Sequence, residues 1–320
     1  MASYSTGPLV SVVIPTYERP QFLSGAIQTA LKQTYEDIEV IVVDDGSSEQ
    51  YADDIVSDFP DNVSWVQHKE NKGLSAGRNT GVQESSGEYI AFLDDDDRWH
   101  RTKLSRQIEA LETDDQAGLA TCLVAAVTPD DEVIHCERSA PSGDCSDEIL
   151  IGNQIGTPSR VVVRRECFSD IGMFDESLQT KQDWDFYLRF CQEWDVVAIE
   201  DHLCFRTVHE SMSSSTTALR RDKNQILQKH KKLIRQRGMW EQAQLTLSTE
   251  IARSYLSTGN LKEARKYSRE ACSEINFRRI LIHLLTFTHP LVVQTVISTK
   301  RAFSRYFYSC SSFTNDPKSN

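Results

Sequence analysis

Between Leu9 and Leu93 the apolar positions fall into two alternating periods. Leu9-Val10-Ser11-Val12-Val13-Ile14 is a short, nearly continuous apolar run and predicts a buried strand. Phe22, Ala26, Ile27, Ala30 and Leu31 then recur at helical spacing on one face. Ile38-Glu39-Val40-Ile41-Val42-Val43 predicts a second strand, which ends in Asp44-Asp45-Gly46-Ser47. A helix over about Glu49–Ser57, a strand at Val63–Val66, a helix over Leu74–Glu84 and a strand at Tyr89–Leu93 continue the alternation. Alternation of this kind implies an α/β fold: a Rossmann-like, mostly parallel sheet with flanking helices.

The pattern then loosens. Leu119–Val127 and Val133–Cys136 read as a strand pair turned at Pro129-Asp130-Asp131. A strand is expected at Ser159–Arg164, a short helix at Glu166–Ile171, an amphipathic helix at Asp183–Gln192 and a last strand at Val196–Glu200. The Ser/Thr-rich stretch Ser211–Thr217 marks a boundary, which divides the chain into residues 1–216 and an all-α region, 217–320. In that region Ala218–Arg237 reads as one basic helix. Glu241–Ser257 and Leu261–Glu274 read as a helical hairpin turned at Thr258-Gly259-Asn260. The hairpin spacing is similar to a single tetratricopeptide unit, below the number such repeats need, so it is expected to pack on the main domain.

Charge divides the chain at the same place. Residues 1–216 hold 16 Lys+Arg against 40 Asp+Glu, and residues 217–320 hold 19 against 7. An acidic body excludes nucleic acid as a partner, and the basic remainder suggests an anionic partner or surface. The eight cysteines show no CxxC and no grouping with histidine, which argues against structural zinc. Met1–Pro8 is short and polar, so no secretory leader is expected and the protein is read as cytoplasmic. The longest apolar stretch, Ile280–Ile297, is interrupted by His283, His289, Pro290 and Gln294 and falls short of a membrane span. With Arg278-Arg279 before it and Lys300-Arg301 after it, it can instead lie on the inner face of the cell membrane.

The densest chemistry is at the end of the fourth strand, where Asp94, Asp95, Asp96 and Asp97 follow one another. Two carboxylates about 4 Å apart repel by roughly 4 kcal/mol at an effective dielectric near 20. Such a run either points its groups apart into water or receives a cation. Hard divalent ions take one or two carboxylates plus substrate phosphates, and α/β sheets bind ligands at strand carboxyl ends. A solvated turn, with one Asp capping a helix that starts near Trp99, is the structural alternative.

Several further motifs fall in order: Val13-Ile14-Pro15-Thr16-Tyr17, Val42-Val43-Asp44-Asp45-Gly46-Ser47, Asn71-Lys72-Gly73-Leu74-Ser75-Ala76-Gly77-Arg78-Asn79, Phe92-Leu93 through Arg98-Trp99, then Gly172-Met173-Phe174-Asp175-Glu176 and Gln182-Asp183-Trp184-Asp185. Over about residues 9–211 the chain resembles the family-2, inverting, nucleotide-sugar-dependent glycosyltransferases of GT-A fold. The resemblance implies a nucleotide-sugar donor, UDP-linked by preference, a glycan or lipid-linked acceptor, and Mn²⁺ or Mg²⁺. It places Pro15, Thr16, Tyr17 and Glu18 on a loop against the base, Tyr17 offering a ring for stacking. It puts a uracil contact on Asp44-Asp45, with Asp45 favoured and an Asx-turn as the alternative. Arg78 meets a diphosphate oxygen. Asp94 lies towards the ribose and Asp96 binds the metal, with Asp95 kept as the other register. His209 stands near the diphosphate or metal. Asp183 aligns with the general base, although the usual Glu-Asp pair is Gln182-Asp183 here, and its structural alternative is a helix N-cap.

Three other assignments are weaker. A haloacid-dehalogenase-type phosphatase needs Thr or Val after its Asp-x-Asp, whereas Asp97-Arg98 follow here. A sugar nucleotidyltransferase needs a glycine-rich loop where this chain has Pro15-Thr16-Tyr17-Glu18-Arg19-Pro20. A degenerate sugar-nucleotide binder would not need Asp96 together with Asp183.

Overall fold

A computed structural model of the chain describes residues 7–49, 51–209 and 216–271. The expected alternation is present: β1 (Val10–Thr16), α1 (Pro20–Leu31), β2 (Ile38–Asp44), α2 (Tyr51–Val56), β3 (Val63–Gln67), α3 (Leu74–Glu84) and β4 (Tyr89–Phe92). β1, β2, β3 and β4 are parallel, in the order β3-β2-β1-β4.

Beyond β4 the sheet becomes mixed. The elements are β5 (Arg98–Trp99), α4 (Lys103–Glu112), β6 (Ala117–Val127), β7 (Val133–Cys136), β8 (Val162–Arg164), α5 (Cys167–Ile171), α6 (Gln182–Phe190) and β9 (Asp195–Thr207). β8 runs antiparallel to both β4 and β6, β9 is parallel to β6, and β5 is antiparallel to β9.

The two-residue alternation of the strands sorts the core into two layers. Val10, Val12 and Ile14 of β1 and Tyr89, Ala91 and Leu93 at β4 join the layer under α1 and α4. Val13 of β1 and Ile90 and Phe92 of β4 join the layer that holds α5 and α6. α3 lies unusually close to β1, because a Cβ at Gly81 would overlap the Val13 side chain. That close approach presses the face carrying Arg78 against the sheet.

Four expectations are corrected. No helix starts at Trp99: Arg98-Trp99 is a strand, paired with Phe205 and Cys204, and the helix waits until Lys103. Of Ser159–Arg164 only the last three residues are a strand, since Pro158–Arg160 forms a 3-10 turn. β9 runs to Thr207 rather than stopping at Glu200. Its register against β6 jumps from Ile199 to His202, so Glu200 and Asp201 bulge out and the strand then resumes. The basic helix is two helices, α7 (Thr216–Lys229) and α8 (Lys231–Gln236), broken at His230.

α7 and α8, with α9 (Trp240–Ser257) and α10 (Leu261–Ala271), do not build a separate core. Ile226, Leu227, Ile234, Ala243, Ile251 and Tyr267 share one apolar cluster with Phe92, Phe186 and Phe190. Charge reinforces the docking: Lys229 Nζ lies 2.6 Å from Asp175 and 2.9 Å from Asp185, and His230 Nε2 lies 2.8 Å from Asp185. No described helix is long and apolar enough to cross a membrane. The stretch Ile280–Ile297, read as able to lie on the membrane face, lies outside the described residues.

Asp185 gives this docking a pH dependence. Burial works to raise its pKa but is outweighed by the His230 hydrogen bond and by Arg189 and Lys229, which bring it down to about 2. A carboxyl depressed in the folded state stabilises fully above its unfolded value and loses that stabilisation as pH falls through the folded one. About 2 kcal/mol should therefore disappear between pH about 4 and about 2. Trp240 fluorescence during acid titration should report it, and Asp185→Asn should remove that part of the transition. A titration curve unaltered by the substitution would contradict this.

Candidate functional site

Strand order reverses direction beside β1: β2 and β3 are laid down on one side of it and β4 on the other. The carboxyl ends of β1 and β4 therefore flank a topological switch point, where open α/β sheets form a crevice. Thr16, Asp94, Asp95 and Asp96 meet there, and Arg78 reaches them from α3. Tyr17 and Leu74 are the exposed large apolar side chains among the described residues, and Tyr17 directly follows β1.

The four aspartates alternate. Asp95 and Asp97 are buried, whereas Asp94 and Asp96 reach the crevice with side chains 25% and 10% exposed. The alternation separates the run into two supports and two open groups. Asp95 accepts a hydrogen bond from Thr16 Oγ1 at 2.8 Å and pairs with Arg19. Burial pushes its pKa up to about 7, opposed by Arg19 and Thr16. Asp97 accepts the Thr207 N–H at 3.0 Å, and burial raises its pKa too. It thereby fastens the end of β9 to the run and delivers His209, whose Nε2 lies 3.1 Å from Asp96 Oδ2. Phe22 packs on the His209 ring at 5.1 Å.

Arg78 donates to Asp94 Oδ1 at 2.7 Å, and its side chain is only 3% exposed. Its guanidinium also lies 5.6 Å from the centre of the Phe174 ring. Arg78 is thus held in a largely buried ion pair and orients Asp94. Asn79, next in sequence, donates to the Phe174 carbonyl and to Glu176 and accepts the Phe174 N–H. The Gly172–Glu176 motif is therefore a clamp on α3.

The base-side loop is organised from within. Asp44 forms the Asx-type turn, its Oδ1 accepting the Ser47 N–H and hydroxyl, while Gln67 donates to its Oδ2. Asp45, 4% exposed, accepts the Lys72 and Gly73 N–H groups and faces His68 Nδ1 at 2.7 Å. Both carboxylates hold the loop in shape rather than standing free. Gly46, at φ 78°, passes so close to the Glu70 backbone that no side chain fits. Pro15 and Thr16 are buried in β1, and Thr16 braces Asp95. Glu18 is exposed in the left-handed region at φ 53° and accepts the Ser48 N–H at 2.7 Å. Strain of this kind costs about 1 kcal/mol or more and persists where surrounding contacts over-determine it.

Asp183 stands in the first turn of α6, with Lys181 left-handed just before it. Its Oδ2 accepts a hydrogen bond from Asn153 Nδ2 at 2.7 Å. It makes no side-chain cap of the helix. The buried Tyr187 hydroxyl, one turn along α6, has its pKa raised by burial first and then by Asp183. Arg78, Arg160 and Asp94 act on the same hydroxyl, so α6 brings Asp183 into the neighbourhood of β4's end. Gln182 is buried and bonded to the Gln179 carbonyl, so it supplies no second acid.

Sequence reasoning missed Asn153, His68 and Arg19. Asn153 lies thirty positions from its partner in a Gly-Asn-Gln-Ile-Gly loop with no motif of its own. Arg19 donates to Asp96 Oδ2 at 2.8 Å and pairs with Asp95, yet nothing near it in sequence is acidic except Glu18.

Among the described residues no three His, Cys, Asp or Glu groups converge as a metal cage. The available donors are Asp94 and Asp96 at an open edge with His209 beside them. That set suits Mg²⁺ or Mn²⁺, which complete their shells with substrate phosphates. Asp96 Oδ2 is engaged by two cationic or proton-bearing groups, Arg19 and His209.

The family model described as glycosyl transferase family 2 matches residues 11–172, just over half of the chain. An uncharacterized glycosyltransferase of Rickettsia prowazekii is 28% identical over 216 residues, covering 65% of this chain and 67% of that protein. Among solved structures, Staphylococcus aureus TarS in complex with UDP is 18% identical with a TM-score of 0.55, over 93% of this chain and 89% of the other. The mannosyltransferase PcManGT of Pyrobaculum calidifontis, in complex with GDP-Man and Mn²⁺, is 18% identical with a TM-score of 0.57, over 95% and 88%.

Proposed function

The chain belongs to glycosyl transferase family 2 and has the GT-A fold, and from that premise we propose that it transfers a sugar from a UDP-linked donor to a hydroxyl or phosphate acceptor with inversion. The observation that carries the proposal is the split of the aspartate run, with Asp94 and Asp96 open to the crevice between Tyr17 and His209. The donor base stacks on Tyr17 and is bounded by the exposed Tyr17-Glu18 turn that follows β1. Asp44 and Asp45 hold the neighbouring loop in the shape that receives the base, through the Ser47, Lys72 and Gly73 N–H groups. Asp94, held by Arg78, takes the ribose end.

Asp96 and His209 would hold Mn²⁺ or Mg²⁺, which offsets the negative charge that builds on the departing diphosphate. Asp183 works from the other side. In a single displacement the acceptor oxygen forms its bond to the anomeric carbon as the bond to the diphosphate oxygen breaks. The bonding pair leaves with the nucleotide diphosphate, and the acceptor proton passes to the Asp183 carboxylate. Asn153 occupies Oδ2 of Asp183, which leaves Oδ1 for that proton. Residues 1–216 would supply this chemistry. Residues 217–320, basic overall, would bring the enzyme to a glycan or lipid-linked acceptor at the inner membrane face.

A saturation-transfer NMR screen of nucleotide sugars tests the proposal. UDP-sugars should give contact signals on base and ribose that require Mn²⁺ or Mg²⁺. If no nucleotide sugar gives a signal, or GDP-sugars alone do, the donor assignment is wrong.

A further inference from the structure

We propose that Arg19 is a built-in counter-ion of the aspartate run, occupying at Asp96 the position that a divalent cation takes when the donor arrives. The inference rests on the reading that Asp96 binds the metal. Its starting point is geometric. The Arg19 guanidinium bridges two neighbouring carboxylates, pairing with Asp95 and reaching Asp96 Oδ2 at 2.8 Å. That same Oδ2 faces His209 at 3.1 Å, so the oxygen best placed for a metal already has a cation bound to it.

The two ends of this contact differ in freedom. The Arg19 side chain is 41% exposed, whereas Asp95 is fully buried and Asp96 is 10% exposed. The guanidinium carbon itself lies 5.9 Å from the centre of the Phe22 ring, which flanks it beside the two carboxylates. A buried carboxylate left without its partner is strongly disfavoured, so Asp95 retains the guanidinium. Asp96 can release it, because a cation of higher charge replaces it. The movement is a pivot: Arg19 keeps Asp95 and gives up Asp96.

The backbone ties this pivot to the base-side loop. The Arg19 N–H donates to the Tyr51 hydroxyl at 3.2 Å, and the Glu18 N–H donates to Ser47 Oγ at 2.9 Å. Ser47 is in turn fixed to Asp44. Tyr17, the stacking platform, is two residues from the pivot. A nucleotide that settles on this loop bears on the segment that carries Arg19. Bare metal ions therefore compete with an internal cation, while a nucleotide diphosphate that occupies the crevice releases it. The site disfavours metal without donor and couples the two binding events.

Mn²⁺ binding to the full chain, followed by EPR of free Mn²⁺ with and without UDP, tests this. An ion pair of this exposure opposes metal binding by about 1.5- to fivefold. Arg19→Ala should therefore bind Mn²⁺ alone about 1.5- to fivefold more tightly than the wild type, and the gain should vanish when UDP is bound. Arg19→Gln should do the same if the alanine variant folds poorly by thermal melting, and Arg19→Lys, which keeps the charge, should stay near the wild type. Unchanged or weaker Mn²⁺ binding in both neutral variants overturns the proposal, as does an equal gain with and without UDP. Asp96→Asn separates the two levels. If it abolishes Mn²⁺ binding while Arg19→Ala changes nothing, only the counter-ion role fails. If it leaves Mn²⁺ binding intact, the metal assignment fails and the counter-ion role fails with it.

Discussion

Asp183→Asn should leave UDP-sugar affinity nearly unchanged and lower sugar transfer by roughly 10²–10⁴-fold, the usual contribution of a positioned general base. The substitution keeps size and shape, so α6 retains its packing through Trp184 and Phe186, both buried. Asn153 can still donate to the side-chain oxygen of the new residue, which preserves the orientation seen at 2.7 Å. What is lost is the ability to accept a proton from the acceptor. The loss should fall on kcat with little change in the donor KM, because the carboxylate is needed only as the new bond forms. Steady-state kinetics with donor binding measured separately by calorimetry decide the matter. Transfer at the wild-type rate would remove Asp183 from the role of base.

Asp96→Asn should abolish metal-dependent nucleotide binding while the protein remains folded. The carboxylate supplies charge that an amide cannot, and loss of a ligand should weaken the metal complex by about 100-fold or more, above the 10–100-fold typical of outer-shell changes. The fold should survive because the partners of Asp96, Arg19 and His209, are themselves at the crevice edge. Relief of charge repulsion within the run acts in the same direction. UDP titrations with and without Mn²⁺, alongside a thermal melt, check both halves. Full UDP affinity in the wild type after chelation would show that no metal is needed.

The first half of the chain was legible because its signals are local. β1 to β4 are short apolar runs, and the polar residues that matter lie at their carboxyl ends. The second half was less so. β9 looked finished at Glu200 because Glu200-Asp201-His202 breaks the apolar run, yet only Glu200 and Asp201 bulge out and pairing resumes at His202. Arg98-Trp99 is too short to show a period, and its pairing with Phe205 and Cys204 spans more than a hundred positions. In the site, residue types were readable but partners were not. Asp44-Asp45 reads as a ligand-facing pair, whereas the fold turns both inward to backbone N–H groups. Arg19, Asn153 and His68 act through residues distant in sequence, so no spacing marks them.

On α6, Asp183 and Asp185 are two positions apart and serve opposite neighbours. The first accepts a hydrogen bond from Asn153, and the second is gripped by Arg189, Lys229 and His230. The helical segment is therefore not an interchangeable attachment. A chimera that joined residues 1–216 to helices from another protein would leave Asp185 buried without Lys229 and His230, an expensive condition for a carboxylate. The helix would shift or the carboxyl would take up a proton, and Asp183 on the same helix turn would move with it. Recombination at the apparent boundary should thus yield folded but poorly active enzymes unless the incoming helices bring an equivalent pair of cations. Parts that look modular in charge and in sequence are, at this helix, a single inherited unit.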